Sequence, residues 1–181
     1  QAPEASPLQA RAAAAAARRA QPAWAALSME ARCALLGRAG AALEARLPEF
    51  AALVQAETGS TVAVAERLQL GVAADRFRRH ARPEHVNIAL EPQITAATPL
   101  GAGSVLGGQV LRQPVGVVAC ITPYNFPLTS LAGKIAPALA MGNSVVMKPA
   151  PQDPLAIFEM AEILHDVGFP PATAEFIEGR K

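Results

Sequence analysis

The chain has 181 residues, of which 51% are hydrophobic and 17% charged, and its formal net charge is +1. The length suits one domain of ordinary size, and the mix excludes a disordered chain. The near-zero charge gives no electrostatic ground for a nucleic-acid partner.

Residues 8–27 are alanine-rich and helical by propensity, with Trp24 and Leu27 available for burial. The alanine run at 12–17, flanked by Arg11, Arg18 and Arg19, is too short and weakly apolar for a secretory signal. No segment reaches the about 20 apolar residues of a membrane span, so a reducing cytoplasm is the expected setting. Ser28 suits the N-cap of a helix over 29–47, where Cys33, Leu35, Leu36, Ala39, Leu43 and Leu47 recur near helical spacing. Pro48 fits the first turn of a next helix that runs to Thr58 and stops at Gly59. A further helix is predicted over 62–80, interrupted or weakened at Gly71. Its basic run of Arg76, Arg78, Arg79 and Arg82, with His80 inside, reads as a solvated face. Apart from Phe77 it lacks the interleaved aromatics that stack on bases.

Between 81 and 113, prolines and glycines break any long helix, and 86–90, 94–97 and 109–113 are candidate strands. Gly101, Gly103, Gly107 and Gly108 are spaced G-x-G-x-x-x-G and lead into a strand, so they read as a turn between strands rather than a dinucleotide loop. From 115 the pattern becomes α/β. Residues 115–121 form a continuous apolar run, as in a strand buried on both faces. Residues 128–141 are helical up to Gly142, and 143–147 form a second strand. Residues 154–167 form an amphipathic helix with Asp153 as N-cap and Gly168 as stop, and 174–177 begin a third strand. Parallel strands joined by helices are the expected arrangement, with ligands beyond the C-terminal strand ends. Cys33 and Cys120 read as reduced core residues, and neither they nor the scattered His80, His85 and His165 have metal-ligand spacing.

Those strand ends carry two polar turns. Asn125 sits between Pro123 and Pro127, which restrict the backbone around it. It serves either to fasten the turn or as a fixed neutral N–H donor for an oxyanion. Lys148, at the end of an apolar strand, either snorkels to solvent or holds an anionic or polyhydroxyl ligand. One helix separates the two turns, which favours a shared site.

The segments TPYNFPL, KIAPALAMGN and SVVMKPAPQDP, with QPAWAAL and the ETG at 57–59 upstream, resemble the aldehyde dehydrogenase superfamily, most closely over 112–171. The resemblance implies an α/β fold: N-terminal helices (1–80), a strand and turn segment (81–113) that could serve as an oligomerisation arm, and a Rossmann-like βαβαβ unit of partial parallel sheet (114–181). It implies that Asn125 supplies the side-chain half of an oxyanion hole. Ile121, Thr122, Pro123 and Tyr124 would contact NAD or NADP. Lys148, with Ala150 and Pro151 in its turn, would meet the adenosine ribose or its 2′-phosphate. Lys134 would take a supporting charge-relay role, unless it is a buried lysine that is simply paired.

The family's reaction oxidises an aldehyde to a carboxylic acid through a cysteine thioester, with a glutamate activating water. Cys120, inside a strand, does not match that nucleophile, and Glu175 and Glu178 do not match that base. The expected molecule is thus the cofactor-side piece of a larger enzyme that forms homodimers or tetramers, inactive without the rest of the protein. Pro151 stands where many NAD-preferring members carry Glu, so no carboxylate there would repel a 2′-phosphate. Tyr124 stands where many carry Trp. Two other readings remain: a non-catalytic nucleotide-binding or assembly module, and a related semialdehyde reductase.

Overall fold

A computed structural model describes residues 4–85, 93–106 and 112–177. Helix α1 (Pro7–Ala26) opens on a capping box in which Gln9 N donates to Ser6 Oγ at 3.3 Å and Ser6 N donates to the Gln9 side chain at 2.8 Å. Ser28 caps α2 (Met29–Ala45) as its residue type predicts, accepting from Ala31 N at 3.2 Å. Pro48 lies in the first turn of α3 (Leu47–Thr58), which ends at Gly59. The predicted 62–80 helix is continuous but not uniform. Val64–Gly71 is π-helical and passes into α4 (Val72–His80), so the weakness expected at Gly71 is a widened turn, not a break.

A short 3₁₀ turn (Pro83–His85) follows. β1 (Gln93–Thr95) and β2 (Ser104–Leu106) then pair antiparallel, with Ile94 opposite Val105. The turn reading of Gly101 and Gly103 holds. A Cβ at Gly103 would lie 2.8 Å from the Thr95 carbonyl oxygen and 2.9 Å from Ala97 N, too close for any side chain. The predicted strand at 86–90 and most of that at 109–113 lie outside the described residues; 112 and 113 are not in a strand.

Three parallel strands make the central sheet: β3 (Val117–Ile121), β4 (Ser144–Lys148) and β5 (Ala174–Phe176), in the order β3-β4-β5. Helices α5 (Pro127–Ala140) and α6 (Leu155–Asp166) connect them. β4 is the middle strand, buried through Met147. β3 is not buried on both faces as its apolar run predicts. It lies at the edge, where Cys120 is buried while Ala119 and Ile121 are exposed. An apolar run alone does not distinguish a middle strand from an edge strand.

Side chains alternate across β4. Val145 and Met147 join Leu131, Ile135, Ile157, Phe77 and Trp24 in the main core. Val146 faces the other way, against Ala13 and Ala17 of α1. The small side chains of α1 let the helix lie close on that second face. Leu27, expected to bury with Trp24, is instead 37% exposed.

Asp153 does not cap α6. Pro154 occupies the cap position, and the buried Asp153 carboxylate has no hydrogen-bond partner among the described residues. The carboxylate of Glu57, at the end of α3, replaces it, accepting from Leu155 N at 2.7 Å and Ala156 N at 2.9 Å. At the opposite end of the layer, α2 and α1 clamp the helix C-termini. Trp24 Nε1 donates to the Leu139 carbonyl at 3.1 Å. The buried Arg32 donates to the Ala140 carbonyl at 3.0 Å and the Ala25 carbonyl at 3.1 Å. Arg38 donates twice to the Val167 carbonyl, at 3.1 and 3.0 Å. Cations at helix C-termini also favour the helix dipole.

Candidate functional site

The two polar turns lie side by side. Ile121 pairs with Lys148 in the parallel register, and Thr122 N donates to the Lys148 carbonyl at 3.1 Å. Pro123, Tyr124 and Asn125 are exposed beyond the end of β3. Ile121 and Tyr124 leave 61% and 60% of their surfaces open, which is unusual for large apolar groups and provides flat apolar area at the strand end. Thr122 is buried, and its hydroxyl has no hydrogen-bond partner among the described residues. A buried polar group without a partner calls for an explanation such as a ligand or water.

The Asn125 side chain makes no hydrogen bond to the described residues; only its carbonyl is held, by Gln69 Nε2 at 3.4 Å. The amide is therefore not what fastens this turn. Gln69 comes from the π-helical segment and is fully buried. The segment itself docks on α5 through the Thr129 hydroxyl, which meets the carbonyls of Leu68 and Gln69 (3.2 Å to the latter). Sequence reasoning misses Gln69; the available signal is a lone polar residue between Leu68 and Leu70 on a helix.

Lys148 is half-buried, and its ammonium donates to the Pro149 carbonyl at 3.1 Å with no carboxylate paired to it among the described residues. Ala150 is half-buried and its carbonyl accepts from Asp153 N at 3.3 Å, which folds the turn back, while Pro151 is exposed. Burial, with the nearby Glu57 charge adding to it, raises the Asp153 carboxyl to about 7.

Lys134 is not the buried lysine considered from sequence. It is exposed on α5 and has no ion-pair partner among the described residues. Burial pushes the Cys120 thiol up to about 11, against a weak opposing pull from the Lys134 charge. Burial also raises Cys33, whose Sγ meets the His80 carbonyl at 3.4 Å. Neither thiol is disposed to ionise near neutral pH, as a nucleophile must.

A cleft of about 540 Å³ adjoins the first turn at Pro123 and continues between α4 and α5 past Arg76, His80, Ser130 and Lys134. A larger cavity, about 730 Å³, lies elsewhere, between the start of α1, α6 and β5. Alanines, Phe158 and Phe176 line it, with Glu4, Gln9, Arg19 and Glu175 as its polar groups, and it reaches neither turn. Convergent polar groups mark a site better than size does, and these lie at the strand ends. Among the described residues no group of three or more His, Cys, Asp or Glu could hold a metal.

The model of the aldehyde dehydrogenase family matches residues 1–181 of the chain. The chain belongs to the aldehyde dehydrogenase family. It is 35% identical to betaine aldehyde dehydrogenase of Cereibacter sphaeroides over 178 residues, 98% of this chain and 35% of that protein. It is 35% identical to fluoroacetaldehyde dehydrogenase of Streptantibioticus cattleyicolor over 164 residues, 91% of this chain and 31% of that one. An NAD-dependent aldehyde dehydrogenase from Sinorhizobium meliloti has the same fold, with a TM-score of 0.82 and 33% identity over 98% of this chain and 34% of that one. The chain thus spans about a third of the length of the aldehyde dehydrogenases it matches. None of its described helices is long and apolar enough to cross a membrane.

Proposed function

We propose that this chain forms the cofactor side of an NAD(P)-dependent aldehyde dehydrogenase, and that the protein carrying it oxidises an aldehyde to a carboxylic acid through a cysteine thioester. The observation that carries this reading is the pairing of Ile121 with Lys148, which sets both polar turns at one end of the sheet. The residues present fit a nicotinamide dinucleotide. Ile121, Thr122, Pro123 and Tyr124 offer apolar surface and one buried, unpartnered hydroxyl. Lys148 offers an ammonium with spare donors to the ribose hydroxyls or a 2′-phosphate, beside Ala150 and Pro151. Pro151 presents no carboxylate, so the turn accepts NADP as well as NAD. When bound, the nicotinamide accepts hydride from the substrate.

Asn125, with its amide unengaged and its carbonyl anchored by Gln69, supplies a fixed neutral donor to the oxyanion that forms when a nucleophile adds to the aldehyde. Lys134, exposed one helix face away, has the weaker role of biasing charge and proton position. Residues 1–181 alone are inactive in this reading, because Cys33 and Cys120 are buried thiols held protonated. Residues 1–80 are the helical buttress, 81–113 the arm, and 114–181 the nucleotide unit. Ile94 and Leu100, 77% and 99% exposed on the β1–β2 hairpin, support an arm that meets another subunit of a homodimer or tetramer. A reducing cytoplasm suits two unpaired cysteines.

The test follows NAD(P)H formation at 340 nm with short-chain aldehydes, using the full-length protein that carries this chain. Turnover that falls about 10²–10³-fold in Asn125→Ala supports the oxyanion role. Cofactor binding with no turnover by the full-length protein would replace the enzyme with a nucleotide-binding module.

A further inference from the structure

The basic run on α4 does not form one solvated face. Arg78 leaves the cleft to pair with Glu44 on α2, and Arg79 is exposed and pairs with Asp75 at 3.3 Å. Arg76 turns the other way. It is half-buried, and its guanidinium donates to the Thr129 carbonyl in the first turns of α5, with no carboxylate paired to it among the described residues.

Helix α5 is built to receive it. A Cβ at Gly133 would lie 2.9 Å from Arg76 Cζ and closer still to one of its nitrogens. Glycine in mid-helix is less favourable than alanine, and the space it leaves here is filled by the Arg76 guanidinium. His80 Nδ1 donates to the Arg76 carbonyl at 2.9 Å, one turn further along α4. Arg76, Arg79, His80 and Lys134 thus border one cleft with Ser130, and among the described residues no acidic side chain lines it. The cleft's remaining wall is Pro123, two residues before Asn125.

We infer that this cleft binds a carboxylate on the far end of the aldehyde substrate, with Arg76 as the specificity-determining residue. The inference rests on the proposed aldehyde site at Asn125 and adds the substrate class: an acid-bearing aldehyde rather than a neutral one. A guanidinium packed against a helix, with its remaining N–H groups unpaired, is preorganised for two-point recognition of a carboxylate. The unpaired Lys134 charge strengthens the field, and its exposure gives the cleft a salt-dependent outer rim.

The test compares two four-carbon aldehydes, succinic semialdehyde and butanal, with the full-length protein. The expected kcat/KM favours the acid at least tenfold. Arg76→Gln should cut that ratio about ten- to a hundredfold, the range for loss of a hydrogen bond to a charged group, and Arg76→Lys should recover part of it. Arg78→Gln, outside the cleft, should leave the ratio unmoved. Arg79→Gln gives a second reading should Arg76→Gln fail to fold, and is expected to lower the ratio less, because Arg79 already has Asp75. A wild-type preference for butanal, or a ratio indifferent to both cleft variants, overturns the inference.

Calorimetric titration with succinate and with inorganic phosphate reads the cleft without turnover. Succinate binding that weakens with salt and is lost in Arg76→Gln supports a carboxylate site. Tighter binding of phosphate, or no binding of either, overturns it. Absence of oxidation of any aldehyde would sink the enzyme reading alone, and the titration would then decide the anion cleft.

Discussion

The two ends of the parallel sheet are finished differently. At the N-terminal ends of the strands, α1 and α2 reach across to the helix C-termini, and Trp24, Arg32 and Arg38 each donate to a terminal carbonyl. The Asn143 side chain closes the same end, accepting from Gly116 N at 3.0 Å and donating to the Ala138 carbonyl at 3.0 Å. Two buried hydroxyls there, Ser144 and Thr173, lack partners, but both arginines are engaged. At the C-terminal ends, charged and polar groups are left over: the Lys148 and Arg76 cations without a carboxylate, the buried Asp153 carboxylate, and the Thr122 hydroxyl. One end spends its cations on the fold, and the other leaves two cations without an acidic partner among the described residues.

Four substitutions can break or sharpen that contrast. Trp24→Ala should have the largest effect, lowering stability by about 3–5 kcal/mol in thermal or denaturant unfolding. It opens a large cavity and strips the Leu139 carbonyl of its donor. Asn125→Ala should move stability by less than about 0.5 kcal/mol, because the side chain is exposed. It should still cost the full enzyme about 10²–10³ in rate; a stability loss without a rate loss would reassign Asn125 to the fold.

Asp153→Asn should show the reverse behaviour. The folded carboxyl titrates near 7, above its ordinary value of 3.8, so the fold favours the protonated form. The Asp153 contribution to stability should therefore be greatest below about pH 4, fall as pH rises to about 7, and level off above. The Asn variant should lose that slope and gain about 2–4 kcal/mol at pH 8. A flat wild-type profile between pH 4 and 7 would mean that Asp153 is partnered. The smallest functional effect is expected for Lys148→Ala, about a tenfold rise in the cofactor KM, as for a lost charge-assisted hydrogen bond, with a stability change again within about 0.5 kcal/mol.

Much of this was legible in the sequence because the signals are local. Ser28 and Gly142 mark helix ends, and the apolar runs around Cys120 and Val145 mark strands. The pairing of the Asn125 and Lys148 turns follows from two strands joined by one helix. What was not legible depends on distant partners. Glu57 replaces Asp153 as the cap of α6 from 98 residues away. The inward turn of Arg76 depends on Gly133, which only the docking of α4 on α5 brings beneath it. The edge position of β3 is invisible in an apolar run, since Val and Ile suit either place. The π-helical turn depends on packing against Thr129 and not on Gly71 alone.

The clamps at the closed end also set a timetable. Trp24 and Leu139 are 115 residues apart, Arg32 and Ala140 108, and Arg38 and Val167 129. At a synthesis rate of about 5–20 residues per second, the first helices leave the ribosome roughly 5–25 s before their acceptors do. Throughout that interval Trp24 has no Leu139 carbonyl and Arg32 no carbonyl of α5 to hold. The N-terminal helices are thus a template waiting for the sheet, and a nascent chain arrested before Gly142 should display Trp24 to any chaperone that binds exposed aromatic surface.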